Sequence, residues 1–254
     1  MRNIAVAEIE DDPRAVLPIA TDYPPGFLLG WHEHRRAQFL YAARGTMVVD
    51  TDDGTWTVPG ERAVMIPPGK RHRVLMDDVQ TASLYIEPDA VTWWPRSCVV
   101  VAVGALLREL LLAAVEFPAD HRPSPRDDAL VELLLLELAG LTPVPLHIRL
   151  PTSPALRALC REYLLNPRVE VTNADWAREA MLGERSLVRH FTRELGISPS
   201  AWRRRARLLS AVPLLREATV SEVAARLGYA TPAAFTHAFT QELSMSPSTL
   251  RPTR

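Results

Sequence analysis

Two groups of side chains in this sequence have types and spacings that do recognisable chemistry. His32, His34 and His72 are imidazoles, and three neutral imidazoles suit a borderline transition ion such as zinc, nickel, copper or iron. The same three can instead line a polar pocket for an organic effector. Far along the chain, Arg185, Arg189 and Arg193 recur at four-residue steps, one helical face, with Thr192 and Val188 beside them. A guanidinium fork fits guanine edges and phosphates, so that face suits a nucleic acid. The polar residues that can be placed supply no obvious acid–base pair, which argues against catalysis.

The arginines sit inside an internal repeat. Phe191-Thr192-Arg193-Glu194-Leu195 and Phe239-Thr240-Gln241-Glu242-Leu243 lie 48 residues apart, and each runs on to a Ser-Pro-Ser. Thr172 and Asp175 form a capping-box pattern with a shortened acid. Trp176, Ala177 and Ala180 then make an apolar face, and Met181-Leu182-Gly183 a turn. Leu187, Phe191 and Leu195 form the buried stripe of a second helix, which Ser198-Pro199 stops. In the second copy Ser221 starts a helix, with Val223, Ala224 and Leu227 inward. Gly228 turns the chain, and Phe235, Phe239 and Leu243 form the next stripe up to Ser246-Pro247. Two helices joined by a short glycine-containing turn predict a helix-turn-helix, twice. The outward face of the second unit, Ala233, Thr236, His237, Thr240 and Gln241, carries far less charge.

From about residue 152 to 251 the chain resembles the DNA-binding domain of AraC/XylS-type transcription regulators. The matching segments are Ala177-Arg178-Glu179-Ala180, Leu187 to Phe191, Gly196 to Pro199, Arg207-Leu208, Val223-Ala224 and Leu227-Gly228-Tyr229, completed by Phe235, Phe239 and Ser246-Pro247. The resemblance implies two subdomains, joined by a linker helix, that enter successive major grooves. It implies Arg185, Val188 and Arg189 as one base-reading set and Pro232, Ala233, Thr236 and His237 as the other. Arg203-Arg204-Arg205 is a candidate phosphate clamp. Pro213 departs from the pattern and predicts a kink in the linker helix; Ser244 replaces the usual glycine, a minor change.

The histidines sit among short strands between about residues 15 and 95. Phe27–Leu29, Gln38–Tyr41, Thr46–Val49, Trp56–Val58 and Ala63–Ile66 alternate with Gly, Pro and Asp, and Asp52-Asp53-Gly54 is a hairpin signal. Gly26, His32, His34, Gln38 and Gly45, followed by Gly60, Pro67, Gly69 and His72, resemble the two motifs of the cupin barrel. That resemblance implies that His32, His34, Gln38 and His72 surround one divalent transition metal. Gln38 stands where a glutamate is usual, and a neutral amide is a poorer ligand for a hard cation.

The remaining chain bounds the reading. Two leucine-rich helices are expected over Val103–Phe117 and Asp127–Leu141, the second with Leu130, Leu133, Leu134, Glu137 and Leu138 in register, punctuated by Pro118, Pro123, Pro125, Pro143 and Pro145. In regulators of the resembled type such helices commonly dimerise. From Thr152 onward there are 15 arginines against 9 acidic residues, whereas the first 151 residues hold 14 basic and 21 acidic ones. A basic module beside an acidic one suits a polyanion binder with a separate partner domain. The acidic start after Met1-Arg2-Asn3-Ile4 shows no secretory pattern, no apolar run is long enough for a bilayer, and Cys98 and Cys160 lack metal spacing, so a reduced cytoplasmic setting is expected.

The expected fold class is therefore α+β. It comprises an N-terminal cupin-like β-barrel (1–100), a helical connector (101–150) and an all-α double helix-turn-helix (151–254). The expected function is sequence-specific binding of double-stranded DNA, as a homodimer without a membrane, in response to a small molecule or metal. The alternatives are a cupin metallo-oxygenase with an appended DNA module and a constitutive DNA binder without effector.

Overall fold

In the computed structural model, residues 12–117 and 124–250 are described. The expectations that rest on Met1–Ile4, Pro118, Pro123 and Arg251 lie outside them. The chain divides into two compact units, one reaching Val144 and the other running from Pro145, with residues 52–55 assigned to the second. The division falls at 144/145, and the leucine-rich helices belong to the first unit instead of forming a separate connector.

The first unit contains β1 (Val16–Tyr23), β2 (Phe27–His32), β3 (Ala37–Thr51), β4 (Gly54–Pro59), β5 (Arg62–Ile66), β6 (His72–Ile86) and β7 (Val99–Ala102). Two helices, α1 (Ala105–Val115) and α2 (Pro125–Ala139), precede the short β8 (Pro143–Val144). The sheet runs β1-β6-β3-β5-β7-β8, with β2 added on β6 and β4 on β3. The two segments expected at 38–41 and 46–49 are one strand, β3, whose register against β6 shifts around Arg44. Gly45 sits there at φ +89°, and a Cβ on it would lie 2.2 Å from the Asp78 carbonyl oxygen, so only glycine lets the strands approach.

The helices cover one face of this sheet. Phe39, Tyr41, Leu84 and Ile86 share a core with Leu107, Leu111, Leu130, Leu134 and Leu138 from the helices. Burying each such leucine is worth roughly 1.5–3 kcal/mol. The alternate residues of the same strands, Gln38, Leu40, Ser83 and Tyr85, face a cavity instead. Helix α2 begins two residues earlier than its periodicity suggests, because Ser124 and Asp127 make a reciprocal capping box with Pro125 in the first turn.

The second unit holds β9 (His147–Arg149), α3 (Pro154–Leu165), α4 (Asn173–Glu179), α5 (Glu184–Leu195), α6 (Pro199–Leu214), α7 (Val220–Arg226) and α8 (Pro232–Leu243). The capping box of α4 forms as expected: Thr172 Oγ1 accepts from Asp175 N at 3.2 Å, and Thr172 N donates to Asp175 at 2.9 Å. Helix α7 is capped by Thr219, reciprocally with Glu222, and not started by Ser221. The Ser-Pro-Ser of the first repeat ends α5 and opens α6, since Ser198 caps it by accepting from Ala201 N at 3.2 Å. Pro213 lies inside α6, in its last turn before the helix ends at Leu214.

Candidate functional site

The histidine cluster is built where β2 and β6 pair. His32 closes β2 and His72 opens β6, directly opposite one another in the ladder. His34 follows in the loop, and Gln38 projects from β3. The ring centroids of His32 and His72 are 4.2 Å apart, and those of His34 and His72 are 5.3 Å apart. One ring nitrogen from each histidine lies within 4.8 Å of the others.

The second ring nitrogens set the chemistry. Nδ1 of His32 meets the Gly30 carbonyl at 2.8 Å, Nδ1 of His34 the Arg36 carbonyl at 2.6 Å, and Nδ1 of His72 the Lys70 carbonyl at 2.7 Å. A carbonyl only accepts, so each Nδ1 carries the proton and each neutral ring keeps its lone pair on Nε2. In all three the nitrogen left to ligate is therefore the same one, and a backbone carbonyl holds each ring in place. His72 Nε2 is buried and has no hydrogen-bond partner. Burial, then the neighbouring His32, pushes the His72 pKa down to about 3, so the ring stays neutral.

Gln38 is held on the other side of the cluster. Its Oε1 is 3.2 Å from His34 Nε2, and its Nε2 donates to the Tyr85 hydroxyl at 2.8 Å. Turned over, the same amide donates to His34 and accepts from Tyr85, so it can present either end to the imidazoles. Burial pushes the Tyr85 phenol pKa up, which keeps it a neutral partner. His32, Gln38, His72 and Tyr85 border a cavity of about 40 Å³. Donor type, spacing and the orphaned His72 nitrogen fit a divalent transition metal.

Sequence reasoning missed Tyr85 and Arg36. Arg36, wholly buried, donates to the carbonyls of Arg14, at 2.7 Å, and Asp12, and pairs with Glu87 at 2.6 Å. Its own carbonyl orients His34. An inward arginine leaves no periodic trace, since partners distant in sequence decide it.

In the second unit, Trp176, Phe191, Trp202 and Tyr163 form one aromatic cluster with centroids 5.7 to 6.2 Å apart. This core buries the inner faces of α4 and α5. Arg185, Arg189, Thr192 and Arg193 are left exposed on α5, with Val188 half-buried. On α8, Phe235 and Phe239 pack at 5.5 Å. Pro232, Ala233 and His237 are exposed there, and Thr236 is half-buried.

The structure divides the arginine run. Arg203 is 4% exposed, stacks 4.7 Å from the Trp176 ring centroid, and donates to Asn173 Oδ1 at 2.8 Å. Arg205 pairs with Glu242 of α8 at 2.7 Å and donates to the Pro145 and His147 carbonyls. The expected three-residue phosphate clamp is corrected accordingly: Arg203 and Arg205 face inward, bracing α6 to α4 and α8. Arg204 alone of the three is exposed, 3.6 Å from Glu242.

A sheet-rich pocket domain and a duplicated helix-turn-helix define a ligand-responsive transcription regulator. Comparison with known proteins agrees. Residues 176–253 match the model of a helix-turn-helix domain, and residues 16–139 match that of the AraC-like ligand binding domain. The chain is 30% identical over 218 residues to the HTH-type transcriptional regulator NimR of Escherichia coli (strain K12), spanning 85% of this chain and 80% of that one. It belongs to the AraC family of transcription regulators. Among solved structures it is similar to an apo form of ToxT from Vibrio cholerae, at 10% identity and TM-score 0.40 over 94% of this chain and 97% of that one. It is also similar to the C-terminal domain of AraT from Geobacillus stearothermophilus, at 30% identity and TM-score 0.36 over 40% and 87%. Among the described residues no helix is long and apolar enough to cross a membrane.

Proposed function

We propose that this regulator holds one divalent transition metal on His32, His34 and His72, with Gln38 as fourth donor, and that occupancy of the pocket changes its affinity for an operator. The carrying observation is that one ring nitrogen from each of the three histidines lies within 4.8 Å of the others, while every Nδ1 is engaged by a backbone carbonyl. The ion would supply a fixed positive charge that draws β2, β3 and β6 together. Duplex DNA is read by Arg185, Val188, Arg189, Thr192 and Arg193 in one groove, and by Pro232, Ala233, Thr236 and His237 in the next. Arg204 contacts phosphate.

The relatives matched are regulators, and we read this chain as a cytoplasmic regulator and not as a metallo-oxygenase, because Gln38 replaces the carboxylate such a centre uses. Leu106, Leu112, Leu133 and Leu136, exposed on α1 and α2, are assigned to a second copy of the chain, as the family resemblance implies.

The test is elemental analysis of purified protein, followed by operator titrations with and without chelator. About one ion per chain is expected, lost in His72→Ala. Operator affinity should then differ ~5–150-fold between loaded and stripped protein, the usual span of coupling between sites. Protein that cannot be loaded, and whose DNA affinity ignores added metals and His32→Ala, would leave these histidines as the wall of an organic effector's pocket.

A further inference from the structure

We infer that the histidine pocket takes a small anion as its effector, bound beside the metal. This rests on the metal reading above. Its argument is charge and space. The donors are three neutral imidazoles and a neutral amide, so a dication held there keeps both charges. The described cavity wall offers hydroxyls from Thr21, Tyr23, Ser83 and Tyr85 and no carboxylate, and Glu33, between two of the histidines, is solvent-exposed. An uncompensated dication in a partly buried pocket is costly, and a ligand carrying negative charge relieves that cost.

The surroundings favour the same sign. Arg71 and Arg73 both sit 5.3 Å from the Trp31 ring centroid, one residue along from His32 and His72. Arg73 is paired with Asp50 at 2.8 Å, so it is Arg71 that adds positive potential at this edge of the sheet. Space limits the ligand's size. A cavity of about 40 Å³ admits an ion and a few further heavy atoms, since one water needs roughly 10–15 Å³ by the same measure. A short carboxylate fits; a sugar or a fatty chain does not. The hydroxyls can donate to such an anion, and Leu29, Leu40 and Met76 give it an apolar flank.

The experiment uses the purified full chain loaded with cobalt(II), whose visible bands report its ligands. Acetate, azide and acetamide, acetate's neutral analogue, are titrated separately. Acetate and azide should shift the bands saturably, with acetamide at least about tenfold weaker. Gln38→Glu supplies its own carboxylate, so it should keep cobalt and lose at least about tenfold in acetate affinity. Cobalt bands that no anion moves, or that acetate and acetamide move equally, would overturn the anion proposal and leave the metal reading standing. A chain that gives no cobalt bands would overturn both. The acetate–acetamide comparison on the unaltered chain decides the matter even if Gln38→Glu does not fold.

Discussion

The two helix-turn-helix units share a fold and differ in almost everything that touches solvent. In the first, α5 presents Arg185, Arg189 and Arg193, whereas α8 in the second contains no arginine or lysine. The turns differ too. Met181 and Gly228 occupy matching left-handed positions at φ +54° and +76°, but the second unit inserts one more residue before its recognition helix. The C-caps are exchanged in kind: Gly196 at φ +76° in the first, Ser244 at φ +57° in the second. Burial preserves the pattern of Leu187, Phe191, Phe235 and Phe239, while the exposed face is free to diverge. Under the proposed function the units are expected to divide the work, the first anchoring on the polyanion and the second discriminating through short, weakly charged side chains.

The largest expected effect separates them by packing. Arg203→Ala removes a buried side chain from the first unit's core, with its Trp176 stack and Asn173 bond, and should cost ~2–4 kcal/mol of stability. Arg203→Met refills most of that volume and should recover most of the loss in a thermal melt. A tenfold loss of DNA affinity with unchanged stability would make Arg203 a phosphate contact after all.

Arg205 belongs to the other side of the comparison. Arg205→Ala removes the shorter of the two arginine contacts to the Glu242 carboxylate and the donor to the Pro145, His147 and Glu242 carbonyls. The expected cost is ~1–2 kcal/mol, because the pair is partly solvated. Footprints should then show altered tolerance for half-site spacing, since the brace from α6 to α8 is gone. Unchanged stability and spacing would remove it from the account. The C-caps give the smallest effect. Ser244→Gly should stabilise the protein by about 1 kcal/mol, and Gly196→Ser should destabilise it by about the same amount, because only glycine adopts the left-handed conformation without a Cβ penalty. Nothing lies within 4 Å of a Cβ at Gly196, so the backbone alone carries the cost. Melts that move the same way would show that tertiary contacts, not backbone conformation, set these positions.

What is legible in the sequence follows from the same division. Stripes such as Leu187–Phe191 and Phe235–Phe239 have helical period, and their burial follows from it. The histidine set is legible through its resemblance, and its members do converge. The one-residue offset between the repeats is hidden, since Thr172 and Thr219 are 47 apart while the phenylalanines are 48 apart. Strand β6, as long as β3 at 15 residues, does not stand out because Asp77-Asp78 reads as a turn. In the structure Asp78 is instead a left-handed residue within the strand, at φ +49°, against Gly45. The inward turn of Arg36, Arg203 and Arg205 is illegible, since an arginine's burial depends on carbonyls and rings supplied from elsewhere in the chain.

The most direct test of this division is the salt dependence of operator binding for Arg185→Ala/Arg189→Ala against Thr236→Ala/His237→Ala. The first pair should lose ~1–3 kcal/mol per arginine and flatten the log–log salt slope by about 1 for each phosphate contact removed. The second pair should keep the slope of the intact protein and relax preference at its own base pairs. Equal flattening by both pairs, or operator binding by the arginine pair that matches the intact chain, would contradict the account.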